Sequence, residues 1–211
     1  MSDGRFLVFE GIDGCGKSTQ SKQLYQRLKD TGREVVVTFE PSDGVVGRLI
    51  RRMLAGEVPV DQRTLAALFA ADRTDHLVNA KNGVKPCVDA GNIVVCDRYY
   101  FSSYAYHAQY MDMEWVIRAN SLNADILRPH VTLFIDVAPE ICLDRIRAAR
   151  EKLDIYEKID IMKRVRDNYL KAFDRLKDEE TVIVINGNNP PEKVAADVWD
   201  AVRPFVELPG T

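Results

Sequence analysis

The residues best suited to chemistry lie near the start of the chain, in the segment RFLVFEGIDGCGKST that runs from Arg5 to Thr19. The segment contains the spacing G-x-x-x-x-G-K-[ST], formed by Gly11, Gly16, Lys17 and Ser18. This spacing is typical of a loop between a strand and a helix whose backbone N–H groups surround a bound phosphate. It therefore predicts a nucleotide-binding site.

Each residue type in this loop has a chemical reason. Glycines allow positive φ angles and bring the backbone close to an anion. Lys17 can neutralise the β- and γ-phosphates, Ser18 offers a hydroxyl to Mg²⁺, and the next helix turns its positive end to the same charge. The alternative is a plain glycine turn that happens to carry a lysine. The apolar strand before the loop and the amphipathic pattern after it favour the phosphate loop.

Charged residues also follow two further predicted strands. Glu40-Pro41 comes directly after EVVVTF, and NIVVCD ends in Asp97, which Arg98 follows. The carboxyl ends of parallel strands share one edge of a sheet, which is where ligands bind in open α/β folds. There Asp97 could hold Mg²⁺ or its waters, and Arg98 could neutralise a transferring phosphoryl group. Taken alone, Glu40-Pro41 fits the simple start of a loop better than a site.

Two helical segments carry further candidates, each with an open alternative. Phe69 and Arg73 are four residues apart, on one side of a helix predicted over residues 61–80, and a core-plus-surface role is the commoner one for such a pair. Arg145, Arg147 and Arg150 form a basic segment that could close over a triphosphate as a lid. A solvated helix face explains the three arginines equally well.

Composition narrows the classes of protein that fit. The chain has 211 residues, with 29 Lys and Arg against 32 Asp and Glu, a net charge of -3. This balance argues against a nucleic-acid surface or a polybasic membrane anchor, and neither a signal segment nor a membrane span is evident. The four cysteines show no metal-binding spacing. We expect a cytoplasmic protein that forms a single domain over residues 1–211 and binds small molecules.

Strands and helices alternate along the chain. Five apolar, β-branched segments are separated by helical patterns, and the fifth, Thr181–Ile185, is followed by a turn at Asn186-Gly187. Such alternation predicts an α/β fold: a three-layer, doubly wound, five-stranded parallel sheet of the kind found in P-loop nucleoside triphosphate hydrolases. A short arginine-rich lid is expected at about residues 146–156.

These motifs together resemble the thymidylate kinases, a branch of the nucleoside monophosphate kinase family. The resemblance covers almost the whole chain and rests on GIDGCGKST, Glu40-Pro41, LFAADR, DRYYFSSYAY and the arginine-rich segment before Tyr156-Glu157. It implies transfer of the γ-phosphoryl group of ATP to dTMP, giving dTDP and ADP, with Mg²⁺ as cofactor. It also implies a homodimer.

The resemblance assigns roles to residues. The ATP phosphates would contact Gly11, Asp13, Gly14, Cys15, Gly16, Lys17, Ser18 and Thr19, and the adenine side would be formed by Arg145 and Asn186. The dTMP site would comprise Asp13, Glu40, Pro41, Phe69, Arg73, Arg98, Ser103, Tyr106 and Tyr156. In it Phe69 stacks on thymine, Arg73 and Ser103 bind the edge of the base, and Tyr106 crowds the place of a ribose 2′-OH. The metal would involve Ser18, Asp97 and Glu157, and the catalytic cations would be Lys17, Arg98, Arg147 and Arg150.

The phosphate loop departs from the family pattern at one position, where it lacks a positively charged residue. Cys15 stands where some members carry an arginine in the phosphate loop, so the lid should supply that charge through Arg147 or Arg150. Two other functions remain open at this point. A deoxynucleoside kinase would use Glu40 as a base toward a neutral 5′-OH, and a nucleotide-dependent switch would bind nucleotide without transferring a phosphoryl group to dTMP.

Overall fold

A five-stranded sheet forms the centre of the fold. The structure, a computed structural model, describes residues 4–149 and 158–207. The strands are β1 (Arg5–Glu10), β2 (Val35–Phe39), β3 (Ile93–Asp97), β4 (Val131–Asp136) and β5 (Val182–Asn186). All strand pairs are parallel, and the order across the sheet is β2-β3-β1-β4-β5. The predicted five-stranded parallel α/β fold is confirmed.

The central strands are buried on both faces because they are apolar throughout. In β1 the four residues from Phe6 to Phe9 have no exposed surface, and Ile93 to Cys96 of β3 are equally buried. Parallel strands covered by helices on both faces have this continuous apolar character. Each such side chain contributes about 1.5–3 kcal/mol on burial, so the centre of the sheet is a stable base for the loops at its edge.

Helices cover both faces of the sheet. In the described part of the chain they are α1 (Lys17–Asp30), α2 (Val45–Leu54), α3 (Gln62–Val78), α4 (Val84–Asp89), α5 (Tyr100–His107), α6 (Met113–Ala119), α7 (Ser121–Ile126), α8 (Pro139–Ala149), α9 (Ile159–Arg175) and α10 (Pro191–Val206). None of them combines the length and apolar character needed to cross a bilayer.

The register of the strands brings their carboxyl ends to one edge. Asp97 of β3 pairs with Phe9 of β1 on one side and with Phe39 of β2 on the other. The residues that follow these positions, Glu10, Glu40 and Arg98, therefore leave the sheet side by side. In the edge strand β5, Asn186 is the last residue and pairs with Asp136, whereas the sequence predicted Asn186 in the turn that follows.

Candidate functional site

The phosphate loop connects β1 to α1 and has the backbone shape expected of an anion site. Gly16 caps α1 with a φ of 101°, and no side chain caps this helix or places an acidic group in its first turn. Gly11 has a φ of 146°, and a Cβ there would lie 2.7 Å from Cys15 Sγ and 2.8 Å from the Ile135 carbonyl oxygen. The helix end thus offers its N–H groups and positive dipole to an outside anion.

Lys17 is the cation of this loop. Its side chain is buried and its Nζ donates to the carbonyl oxygens of Gly11 and Ile12, both at 3.0 Å. Cys15 Sγ lies 3.7 Å from the same nitrogen. The ammonium is therefore held within the loop by backbone carbonyls, close to the helix end where a phosphate would bind.

Ser18 and Asp97 form a pair suited to a hydrated Mg²⁺. Ser18 Oγ donates to Asp97 Oδ2 at 2.6 Å, across the gap between α1 and the end of β3. Asp97 Oδ1 is buried and has no hydrogen-bond partner among the described residues. No group of three or more His, Cys, Asp or Glu side chains converges within residues 4–149 and 158–207. One carboxylate and one hydroxyl fit Mg²⁺, which keeps most of its waters and takes further oxygens from substrate phosphates.

Arg98 projects into the mouth of the phosphate loop from an unusual backbone position. Its φ is 75°, the only positive value of a non-glycine residue in the described chain. Its guanidinium pairs with Asp13 and donates to Ser102 Oγ at 3.0 Å and Tyr106 Oη at 3.2 Å. Tyr106 Oη in turn donates to Asp13 Oδ2 at 2.9 Å. Asp13, Arg98 and Tyr106, all predicted site residues, are thus brought together.

Charge and burial set the protonation of this group. Burial alone would raise the pKa of Asp13, but the Arg98 and Lys17 cations, together with the hydrogen bonds that Tyr106 and Arg98 donate, leave that pKa lowered. The neighbouring Tyr106 and Asp13 keep the pKa of Arg98 well above its ordinary value against the opposing effect of burial. The carboxylate and guanidinium are therefore both charged at neutral pH, which suits binding of a sugar hydroxyl and a phosphate.

A second buried ion pair lies behind the first. Arg73 of α3 has almost no exposed surface and donates through Nε to Glu40 Oε2 at 2.7 Å. The rest of its guanidinium donates to Ser103 Oγ and the Tyr99 carbonyl oxygen, both at 3.1 Å, and to Asn120 Oδ1. The predicted neighbours Arg73 and Ser103 are therefore in contact. The predicted Glu40-Pro41 pair begins the loop beside them, and its peptide bond is cis.

Phe69 lies one turn before Arg73 on α3, with its ring facing His107 of α5. The two ring centroids are 5.1 Å apart. His107 is buried, and its Nδ1 has no hydrogen-bond partner among the described residues. Burial and the nearby Arg73 charge lower the pKa of His107 to about 3. A neutral imidazole thus packs against the aromatic ring to which the family resemblance assigns base stacking.

A cleft with a volume of about 520 Å³ opens over the phosphate loop. Its lining consists of the loop and the start of α1, together with Asp97, Arg98, Arg145, Gly187, Asn189, Pro191 and Val194. Arg145 reaches over from α8 and donates to the carbonyl oxygens of Gly14 and Gly187, at 3.5 and 3.4 Å. Asn186 is absent from this lining. Its Oδ1 accepts from Asn188 N at 3.1 Å, so it shapes the turn beside the cleft.

Some predicted site residues lie outside the described chain. They are Arg150, Tyr156 and Glu157, with most of the predicted lid over residues 146–156. Arg147 is described, and its side chain is exposed near the end of α8. The choice between Arg147 and Arg150 stays a prediction.

Two residues next to the site, Glu10 and Tyr169, were not predicted from the sequence. Glu10, the last residue of β1, accepts hydrogen bonds from Tyr99 N and Ser102 Oγ, and Tyr169 of α9 donates to it as well. A charged residue at the end of an apolar strand was the available signal for Glu10. No sequence pattern pointed to Tyr169, because a tyrosine on an amphipathic helix is usually a core residue.

Arg51 of α2 contacts the loop that follows Glu40. In the structure its Nη1 donates to the carbonyl oxygens of Pro41 and Ser42, at 2.6 and 2.8 Å. It thereby braces the loop that follows Glu40.

Comparison with known proteins agrees with this geometry. Residues 9–198 match the family model described as thymidylate kinase. The chain is 35% identical to a probable thymidylate kinase of Pyrococcus horikoshii, over 95% of this chain and 96% of that protein. It is 41% identical to a probable thymidylate kinase of Methanocaldococcus jannaschii, over 88% of each. A thymidylate kinase of Synechococcus sp. is 32% identical over 96% of each.

Proposed function

The chain belongs to the thymidylate kinase family, and from this membership we propose that it transfers the γ-phosphoryl group of ATP to dTMP, giving dTDP and ADP. The acceptor oxygen of a nucleoside monophosphate is already ionised at neutral pH. The reaction therefore needs alignment and charge neutralisation more than a strong base.

The observation that carries the proposal is the position of Arg98 against the phosphate loop, where it contacts both Asp13 and Gly11. Its guanidinium pairs with Asp13, and its Nη1 lies 3.3 Å from the Gly11 carbonyl oxygen. A phosphate that contacts Arg98 would face the γ-phosphate that Lys17 and the end of α1 bind. A fixed cation between two polyanions lowers their repulsion and stabilises the charge of the transition state.

Mg²⁺ is the proposed cofactor, held with ATP near Ser18 and Asp97. The unpartnered, buried Asp97 Oδ1 supports this assignment. When bound, Mg²⁺ neutralises charge on the β- and γ-phosphate oxygens. Glu157, which lies outside the described residues, is the third residue proposed here.

The proposed dTMP site extends from Arg98 to α3. Phe69 stacks on the thymine ring, while Arg73 and Ser103 bind the edge of the base, because stacking alone discriminates poorly between bases. Asp13 binds the 3′-OH side of the sugar and Tyr106 disfavours a 2′-OH. Tyr156 contributes from the segment outside the described residues. On the donor side, Arg145 and Asn186 are proposed for the adenine.

The arrangement of Glu40 argues against a deoxynucleoside kinase. Such an enzyme would need Glu40 free to accept a proton from a 5′-OH, but its Oε2 accepts from Arg73 and its Oε1 lies 3.2 Å from His76 Nδ1. Arg98 further favours an acceptor that carries a phosphate. A nucleotide-dependent switch, which transfers no phosphoryl group to dTMP, would not need the Arg98 guanidinium beside the phosphate loop.

An ADP-release assay tests the proposal. The purified chain is supplied with ATP and Mg²⁺ and with dTMP, dUMP, dCMP, dAMP, dGMP or thymidine in turn. We expect ADP formation that requires dTMP and Mg²⁺, with thymidine inactive and with Lys17→Ala as the inactive control. Phosphorylation of thymidine but not dTMP would contradict the proposal, as would ATP hydrolysis that needs no acceptor.

We also propose a cytoplasmic homodimer. All four cysteines are free thiols, as expected in a reducing compartment. The adjoining helices α2, α3, α6 and α7 carry large exposed apolar side chains, namely Val45, Val78, Trp115 and Leu122. Exposed apolar surface of this kind favours association. Light scattering should give about twice the chain mass of 23.9 kDa, and a monomer at assay concentration would contradict the dimer.

A further inference from the structure

Glu10 is a fully buried carboxylate that has no role in the steps proposed above. Its Oε1 accepts from the backbone nitrogens of Tyr99 and Ser102, at 2.8 and 3.0 Å. Its Oε2 accepts from Ser102 Oγ at 2.6 Å and from Tyr169 Oη at 2.8 Å. A buried carboxylate is tolerated only when donors satisfy it, and here four donors from two other elements do so.

The first two of these bonds control the backbone next to Arg98. Tyr99 is the N-cap residue of α5 and Ser102 lies in its first turn, so Glu10 caps this helix from a neighbouring strand. Arg98 immediately precedes the cap and has a φ of 75°, a conformation that non-glycine residues adopt rarely. The carboxylate therefore fixes the chain on the side of Arg98 that leads into the helix.

The other two bonds reach the guanidinium of Arg98. Its Nη1 donates to Ser102 Oγ at 3.0 Å and lies 3.5 Å from Tyr169 Oη. Both hydroxyls donate hydrogen bonds to Glu10 Oε2, so each links the guanidinium to the carboxylate. Hydrogen bonds in such a chain polarise and strengthen one another.

We propose that Glu10 is the positioning residue for Arg98: its carboxylate holds both the backbone and the guanidinium of the arginine that contacts the acceptor phosphate. This inference rests on the proposed function. Glu10 does not touch either substrate. It acts because transfer depends on alignment, and a misplacement of about 1 Å can cost about 100-fold in rate.

The test is a double-mutant cycle between Glu10→Gln and Arg98→Ala in the dTMP kinase assay, with thermal unfolding measured in parallel. Arg98→Ala should lower kcat by about 100- to 1,000-fold. Glu10→Gln should lower kcat by about 10- to 100-fold while the KM for ATP changes less than about threefold. In the Arg98→Ala background, Glu10→Gln should change kcat by less than about threefold, since coupled sites are not additive.

Glu180→Gln is the matched control. Glu180 is also a buried carboxylate that accepts from a hydroxyl of α5, Tyr100 Oη at 2.5 Å, but it has no bond to Arg98. We expect this variant to lower thermal stability and leave kcat unchanged. Two further variants serve if Glu10→Gln fails to fold, namely Ser102→Ala and Tyr169→Phe. Each keeps the hydrogen bonds from the backbone of α5 to Glu10 and removes one of the two hydroxyls that connect Glu10 to Arg98. Together they should lower kcat by about 10-fold or more.

Three results would overturn the positioning role. They are multiplicative effects of Glu10→Gln and Arg98→Ala, an unchanged kcat in Glu10→Gln, and an unchanged kcat in the Ser102→Ala, Tyr169→Phe double variant. Each of these leaves the proposed function intact as long as the wild-type chain phosphorylates dTMP and Arg98→Ala does so far more slowly. A wild-type chain without dTMP-dependent ADP formation would instead refute the proposed function.

Discussion

Replacing Arg73 with methionine should destabilise the chain far more than removing a surface arginine. The side chains of Arg73 and Glu40 are 1% and 2% exposed, so Arg73→Met leaves a negative charge without its main partner inside the protein. Breaking a buried ion pair in this way costs about 3–5 kcal/mol. Because His76 Nδ1 remains 3.2 Å from Glu40 Oε1, we expect a loss of about 3–4 kcal/mol within that range.

Urea unfolding followed by circular dichroism measures this loss, provided the slope of the unfolding free energy with urea stays constant. The control is Arg175→Met, which removes an exposed pair with Glu114 and should leave the free energy of unfolding nearly unchanged. The double variant Glu40→Gln, Arg73→Met also removes the unpaired negative charge of Glu40. Its free energy of unfolding should therefore be about 0.5–3 kcal/mol higher than the sum of the two single effects implies. Equal losses for Arg73→Met and Arg175→Met, or strict additivity in the double variant, would refute the reasoning.

Three further predictions concern the base pocket, the metal and pH. Phe69→Ala should weaken dTMP binding by about 1–3 kcal/mol and leave ATP binding nearly intact, as calorimetry can show; equal losses for both would contradict the pocket. Asp97→Asn should raise the Mg²⁺ concentration for half-maximal rate by about 10-fold or more, and an unchanged Mg²⁺ profile would argue against the metal site. The pKa of His107 is about 3 in the fold against 6.5 ordinarily, so the unfolded chain binds more protons between these values. Stability should therefore fall as the pH drops from 6.5 toward 3, and His107→Gln should fall less steeply over that range in acid-unfolding experiments.

The strands and the phosphate loop could be predicted because their signals are local. Runs such as Phe6 to Phe9 are apolar throughout, and G-x-x-x-x-G-K-[ST] fixes its own turn within a few residues. The helix α1 begins at Lys17, within this motif. Shared strand ends also correctly placed Glu40 and Arg98 at one edge, since parallel pairing aligns the carboxyl ends.

The features that the sequence did not predict depend on contacts between residues far apart in the chain or on very short helices. The short helices α4, α6 and α7 have six or seven residues each, too few to show a clear period. The bond between Glu10 and Tyr169 joins residues 159 positions apart, which no local pattern can reveal. Likewise no local pattern indicated that the guanidinium of Arg73 pairs with Glu40, because Glu40 follows a different strand.

The order of strands in the sheet separates the two substrates of the proposed reaction. β1 and its loop stand in the middle, with Glu40 and Arg98 after the strands on one side, and with Arg145 and Asn186 on the side of β4 and β5. On the proposed assignment, the acceptor pocket is altered by substitutions in α3 and in the residues after β2 and β3, whereas the cleft over the phosphate loop is altered by substitutions in α8 and in the turn after β5. We therefore expect substitutions in α3 to change the preference for the acceptor nucleotide while the KM for ATP stays nearly the same.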